Sequence, residues 1–445
     1  MFLNNEISEK LHKLTDLYKY DALFHSLICE EWRDELTLNL CAYDNILSKS
    51  ARYFLQSQLG FRYRLGEIAK APVNADYQQK GSLLYTEKPA LTQLETKAYD
   101  VAVKIFSGIG ADFRPLSGVH ATMCSVLALT SVNEVVYSID PGDGGHFATR
   151  GVVEMSGRKS VYMPWDRERQ DVDFNRLREM LNESKPTLII LEHGCPQRPL
   201  NIKRLRETVG DSVFIAYDAS HTLGLMAGGL FQSPLLEGCD LLQANTHKSF
   251  PGPQKALYIF ANSLVQERLS SALDDALVSS QHTHNLMALC ISMLEMELWG
   301  KEYAIKMLEN SAALKNELLK LGFNVLYPND HSTHIILIEF KDEFSGKAFF
   351  QRLLASGIAT NFRLMRDKAV IRLGTQELTR KGFEPYQMVY IADLMARANE
   401  GERGSHGVAS EVSELMRNSN EVHYSFDDNL SINRLIQGNY DASQH

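Results

Sequence analysis

Apolar positions along this chain change period repeatedly, and the changes divide it into strands and helices. Short β-branched or aromatic runs fall at 134–139, 161–164, 187–191, 213–218, 240–246 and 256–260. Between them lie stretches with helical spacing, such as 92–106 and 173–181, whose apolar residues recur every three or four positions. Strands that alternate with helices predict an α/β fold with a mostly parallel sheet.

Downstream the pattern is different. A helical segment at 285–299, closed by Gly300, leads to strand-like pieces at 323–327, 335–340 and 369–373, which suit a small α+β domain. Residues 400–409 are polar and contain glycine, and read as a linker to a tail. With 445 residues the chain exceeds what one core usually supports. The expected units are a helical arm at 1–36, suited to packing on a partner subunit, a large domain at 37–275, a connecting helix with a small α+β domain at 276–399, and a linker with tail at 400–445.

Composition narrows the class. Hydrophobic residues make up 44% and charged residues 23%, as in ordinary globular enzymes. The net charge of -9 argues against nucleic acid as a partner. The N-terminal segment lacks the apolar core of a secretory signal, and no apolar run reaches membrane-spanning length. Six cysteines are scattered without metal-like spacing, so no metal is expected and the thiols are read as reduced, in a cytoplasmic protein.

The candidate chemistry lies at two strand ends. The run at 213–218 ends in Asp218, followed by Ser220 and His221, and the run at 240–246 leads into Thr246-His247-Lys248. In an α/β sheet both ends fall on the ligand-binding edge. A lysine amine there can form a Schiff base with the aldehyde of pyridoxal 5'-phosphate, and an aspartate can keep the pyridine nitrogen protonated. The small residues of Gly224 and Ala227-Gly228-Gly229 permit close backbone approach.

Asp-x-x-His, Ala-Gly-Gly and Thr-His-Lys-x-x-x-Gly-Pro together resemble the cofactor segment of the serine hydroxymethyltransferase family. The resemblance covers nearly the whole chain. It implies an aspartate aminotransferase-like (fold type I) large domain holding pyridoxal 5'-phosphate, and a homodimer with shared active sites. Ser117-Gly118 stands at the family's phosphate turn, with Val119 in place of a second serine, and Ser220, His221 and Thr246 join the expected cofactor contacts. His146, after Gly144-Gly145, matches the imidazole that stacks on the ring. Arg372 matches the arginine that takes the amino acid carboxylate, with Tyr43 as a further substrate contact. Tyr63 matches a tyrosine that reaches the phosphate in the neighbouring subunit, and His282 and Thr283 fall where a second such contact arises.

The departures matter as much. Leu65 stands where the family keeps its proton-transfer glutamate, with Glu67 and Glu87 nearby as displaced candidates. The folate-contacting loop is altered at 361–367, which carries Arg363 and Arg366, and Gly-Pro is followed by Gln254-Lys255. These changes, with Glu295-Met296-Glu297-Leu298-Trp299-Gly300, resemble the folate-independent L-threonine transaldolases. The expected activity is cleavage or formation of the Cα–Cβ bond of a β-hydroxy-α-amino acid, with amino acid and aldehyde substrates. Folate-dependent hydroxymethyl transfer, or another reaction of the same cofactor, is the alternative. His247, His120, Glu67 and Glu87 are all open as proton carrier, and His146 and His247 accompany Lys248 and Asp218 as candidate catalytic groups.

Overall fold

The computed structural model describes residues 20–66, 77–330, 332–366, 368–400, 402–419 and 421–428, with the side chains of 402–406 left aside. Seven strands form the central sheet: β1 (Gly110–Asp112), β2 (Val135–Ser138), β3 (Lys159–Tyr162), β4 (Leu188–Glu192), β5 (Phe214–Asp218), β6 (Leu241–Asn245) and β7 (Ala256–Phe260). Their spatial order is β1-β7-β6-β5-β4-β2-β3. Pairings from β6 through β3 are parallel, and β7 runs antiparallel to both β6 and β1. This is the mostly parallel mixed sheet expected.

The near-continuous apolar runs of β4 and β5 follow from burial on both faces. Helix α1 (Pro89–Phe106) begins on a proline, ends at Ser107 with φ of 59°, and buries Leu91, Ala98, Val101, Ala102 and Phe106. Helix α2 (Gly118–Leu129) is capped by Ser117, whose hydroxyl accepts from the His120 N–H. Helix α3 (Phe174–Glu183) is capped by Asp173.

Gly300 does not stop the next helix. Helix α4 runs over Thr283–Lys320, and Gly300 sits inside it, where a side chain on Gly228 would meet the Gly300 carbonyl at 2.5 Å. The glycine serves a close helix crossing.

The smaller unit contains β8 (Ile335–Phe340), β9 (Asn361–Met365) and β10 (Lys368–Gly374), antiparallel in the order β8-β10-β9 over their own core of Leu353, Ile371, Met395 and neighbours. The strand expected at 323–327 is reduced to one bridge between Val325 and Ile338, because Tyr327 turns to φ of 52°. The linker expected at 400–409 is overturned as well. Helix α5 (Glu402–Arg417) occupies it, fixed by buried Val408, Val412 and Met416. Of the expected arm, residues 20–35 are helical and the first nineteen lie outside the described residues.

Candidate active site

Asp218 closes β5, and Lys248 follows β6 by three residues, so the sheet brings both to one edge. They line a cavity of about 590 Å³ that also receives Gly118, His146, Ser220 and His221 from the large domain and Tyr43 and Arg372 from the other side. Eight of the residues singled out in the sequence therefore share one cavity.

Asp218 is held by two contacts. Its Oδ1 accepts the Ser220 N–H at 2.9 Å, and its Oδ2 accepts the Gln243 amide at 3.2 Å. Gln243 also donates to the Thr122 hydroxyl at 2.9 Å and accepts from Ser125 at 2.8 Å, which locks its orientation. Ser220 does more than support Asp218, because its hydroxyl accepts the Asn245 N–H at 2.8 Å. The Asn245 side chain in turn accepts the Gly118 N–H at 2.8 Å and ties the start of α2 to the strand that leads to Lys248. Any side chain at Gly118 would lie 2.3 Å from Asn245 Nδ2.

Lys248 Nζ lies 3.2 Å from His221 Nε2. Burial, opposed by the charge of Asp218 and aided by that of Arg372, lowers the amine from 10.5 to about 8. Burial first, then Lys248 and Arg372, drives His221 well below its usual range, so it faces the lysine as a neutral imidazole. His146 is also held low, by burial and by Lys248 and Arg363, against the pull of Asp218. Its ring stacks on Phe147 at 4.6 Å.

Arg372 projects from the central strand β10. Its Nε donates to Asn361 at 2.7 Å, one Nη donates to the Gly194 carbonyl at 2.5 Å, and Tyr43 lies under the guanidinium at 5.7 Å. The fork is thereby aimed without an acidic partner among the described residues.

Other expected residues lie elsewhere. Ser117 caps α2 without lining the cavity, and the Thr246 hydroxyl donates to the Pro253 carbonyl at 2.6 Å, shaping the turn around Lys248. His247 is likewise outside the lining, with burial lowering it to about 4. His120 is bound to Leu116 and Leu277. Tyr63 is exposed, and Thr283 donates to the Arg62 carbonyl at the start of α4. Glu67 lies outside the described residues. Glu87 is committed to Arg64 at 2.8 and 3.0 Å, and Arg64 also binds Glu95.

Several cavity residues were not foreseen as site groups, two of them charged types. Glu192 ends β4 in register with Asp218 and is buried, with the Thr149 side chain and the His146 backbone beside its carboxyl. Burial, then the Asp218 charge, raises it well above 4.5. An apolar run ending in a carboxylate, as at Asp218, was the available signal. Arg363 from β9 is the other.

The cavity accommodates pyridoxal 5'-phosphate chemically. It offers a lysine of lowered pKa, an aspartate braced from two sides, and the unpartnered Nδ1 of His221. A small-residue helix start at Gly118 suits a phosphate.

A large mixed sheet with a lysine and an aspartate at one edge defines the aspartate aminotransferase-like class. Within that class, the profile described as serine hydroxymethyltransferase matches residues 17–395, and the chain belongs to that family. It is 35% identical over 402 residues to the fluorothreonine transaldolase of Streptantibioticus cattleyicolor, covering 89% of this chain but 63% of that protein's length. It is 31% identical over 405 residues to the serine hydroxymethyltransferase of Archaeoglobus fulgidus, covering 88% of this chain and 90% of that one. Among solved structures, the L-threonine transaldolase of Pseudomonas fluorescens superposes with a TM-score of 0.87 at 26% identity, over 97% of this chain and 99% of that one.

Proposed function

We propose that this chain is a pyridoxal phosphate enzyme that breaks and re-forms the Cα–Cβ bond of a threonine-type β-hydroxy-α-amino acid without folate. The observation that carries the reading is the pairing of Lys248, Asp218 and Arg372 in one cavity while Leu65 takes the place of the family's proton-transfer glutamate. Glu87 does not replace that acid, since Arg64 binds it away from the cavity. The transaldolase relatives support the same reading.

The bound cofactor would supply an electron sink for the bond broken at Cα. Arg372 would hold the substrate carboxylate and so orient the bonds at Cα. Asp218 would keep the ring nitrogen protonated, and His146, which lines the same cavity, would cover a ring face. A neutral imidazole, His221 or His146, can take the β-hydroxyl proton as the aldehyde departs. The return step joins Cα to the carbonyl carbon of a second aldehyde, whose oxygen takes up a proton. No oxidant or reductant is needed.

We place the protein in the cytoplasm, on its six unpaired cysteines, and as a homodimer. Supporting the dimer, Tyr20, Phe24, Leu27 and Trp32 leave an apolar stripe exposed on the helical segment 20–35. L-Threonine supplied to the holoenzyme without folate should release acetaldehyde, and an added aldehyde should yield a new β-hydroxy amino acid. Inert threonine, with serine turnover that requires tetrahydrofolate, would favour hydroxymethyl transfer instead.

A further inference from the structure

Resting on that reading, the cavity also describes its second substrate. Besides Arg372, it contains the guanidinium of Arg363. Strand register pairs Arg363 with Val370 and Asn361 with Arg372, so both arginines leave the same face of the small sheet. They converge on one buried thiol, with Arg363 Nη1 at 3.7 Å and Arg372 Nη1 at 4.0 Å from Cys195 Sγ. Among the described residues no carboxylate stands between them or pairs with either.

The surrounding charges sharpen this imbalance. The acids flanking Pro141 and Gly142 are committed to other arginines: Asp143 binds Arg366 and Arg167, and Asp140 binds Arg366. Within the cavity, Asp218 is held by Ser220 and Gln243 and would serve the ring nitrogen, and burial holds Glu192 towards its neutral form. His146, His193 and His221 are all lowered in part by the charge of Arg363. Arg363 is also fixed in place. Its Nη2 donates to the carbonyls of Pro141 at 3.0 Å and Gly145 at 2.8 Å, which holds the guanidinium against the loop carrying His146.

An amino acid has one α-carboxylate, and Arg372 suffices for it. A second preorganised guanidinium beside the first, with no internal counter-charge, calls for a second anion on the reacting molecule. Acetaldehyde released from threonine brings none. We infer that the acceptor aldehyde carries a carboxylate, which Arg363 binds while the aldehyde carbon faces Cα.

The test uses the holoenzyme with L-threonine as donor. A series of ω-carboxy aldehydes, including succinic semialdehyde, is compared with branched hydrocarbon isosteres such as 4-methylpentanal, and kcat/KM is read for the β-hydroxy amino acid formed. The best carboxylate should exceed its isostere by about tenfold or more, the range for a hydrogen bond to a charged group. In Arg363→Gln the ratio should fall to about one, and Arg363→Lys should restore part of it. If Arg363 were only a brace for the His146 loop, the variant would slow both aldehydes equally and leave the ratio unchanged, which would overturn the inference. So would a wild-type enzyme that releases acetaldehyde from threonine yet shows no carboxylate preference at any length. Failure to release acetaldehyde at all would instead overturn the proposed function, and this inference with it.

Discussion

The lowered pKa of Lys248 gives the sharpest quantitative expectation. An ordinary lysine at 10.5 is about 0.1% neutral at about pH 7.5, whereas one at about 8 is about a quarter neutral, a gain in nucleophile of roughly two hundredfold. Competitive acetylation of the cofactor-free protein, followed at Lys248 by mass spectrometry across pH, reads this midpoint directly. It should fall near 8. Asp218→Asn removes the charge that raises the amine and should move the midpoint lower, while Arg372→Gln removes one that lowers it and should move it higher. The same displacement has a cost for folding. The folded site disfavours the ammonium, so the cost is present below the folded pKa of about 8 and is relieved as pH rises towards 10.5. At 1.36 kcal/mol per pH unit it amounts to about 3 kcal/mol, so Lys248→Met should stabilise the cofactor-free protein at neutral pH by up to that amount. A wild-type midpoint above about 9.5 would refute the reasoning, since burial would then not govern the amine.

Arg380 and Glu295 form a fully buried pair at 2.6 Å, and the Glu295 carboxylate also accepts the Phe426 N–H at 3.1 Å. Arg380→Met should cost about 3–5 kcal/mol in urea unfolding by stranding the carboxylate, and Arg380→Met with Glu295→Met should recover much of the loss. Gly118→Ala should raise the cofactor dissociation constant about tenfold or more in equilibrium dialysis, because its methyl displaces Asn245; an unchanged constant would show that the link is dispensable. Glu192 has a raised folded pKa, so wild-type stability should fall as pH climbs through and above 4.5. Glu192→Gln lacks that cost, and its melting-temperature advantage should grow between about pH 5 and 8, the range where an ordinary carboxyl is ionised. Phe24→Glu with Leu27→Glu should yield monomers in sedimentation if the exposed stripe joins two subunits.

Much of the large domain was legible because its central strands are buried on both faces, which leaves uninterrupted apolar runs such as Leu188–Glu192 and Phe214–Asp218. Ambiguity began where one residue type serves two purposes. Gly300 has the composition of a helix stop, but its use is to let α4 cross Ala227 and Gly228. The glycines of 400–409 suggested a linker, while Val408, Val412 and Met416, four apart, were the stronger signal for a helix. Tyr327 hides its positive φ behind a strand-like composition. In the site, Asp218, Lys248 and Arg372 were readable because each sits on a strand or just beyond its end with characteristic neighbours. Glu192 and Arg363 were harder, since neither local sequence shows that β4 lies beside β5 or that β9 turns towards the loop of His146.

The altered acid has a consequence for what happens after the aldehyde leaves. A carboxylic acid beside Cα would return a proton quickly and end the cycle at glycine. Here Leu65 offers none, and the nearby Glu87 and Glu95 are held by Arg64 within a buried cluster. Glu192, which burial keeps towards its neutral form, pairs in register with Asp218 at the strand ends rather than with Lys248. His221 and His146 are both held low, so at neutral pH they accept a proton before they can donate one. The cavity therefore lacks the family's dedicated carboxylic acid beside Cα, and the donors left in it are the Lys248 ammonium and the protonated Glu192. On the proposed function, loss of that acid would slow the return of a proton to Cα and so favour transfer to a second aldehyde over simple cleavage. The uncompensated charge of Arg363 then selects which aldehyde it is.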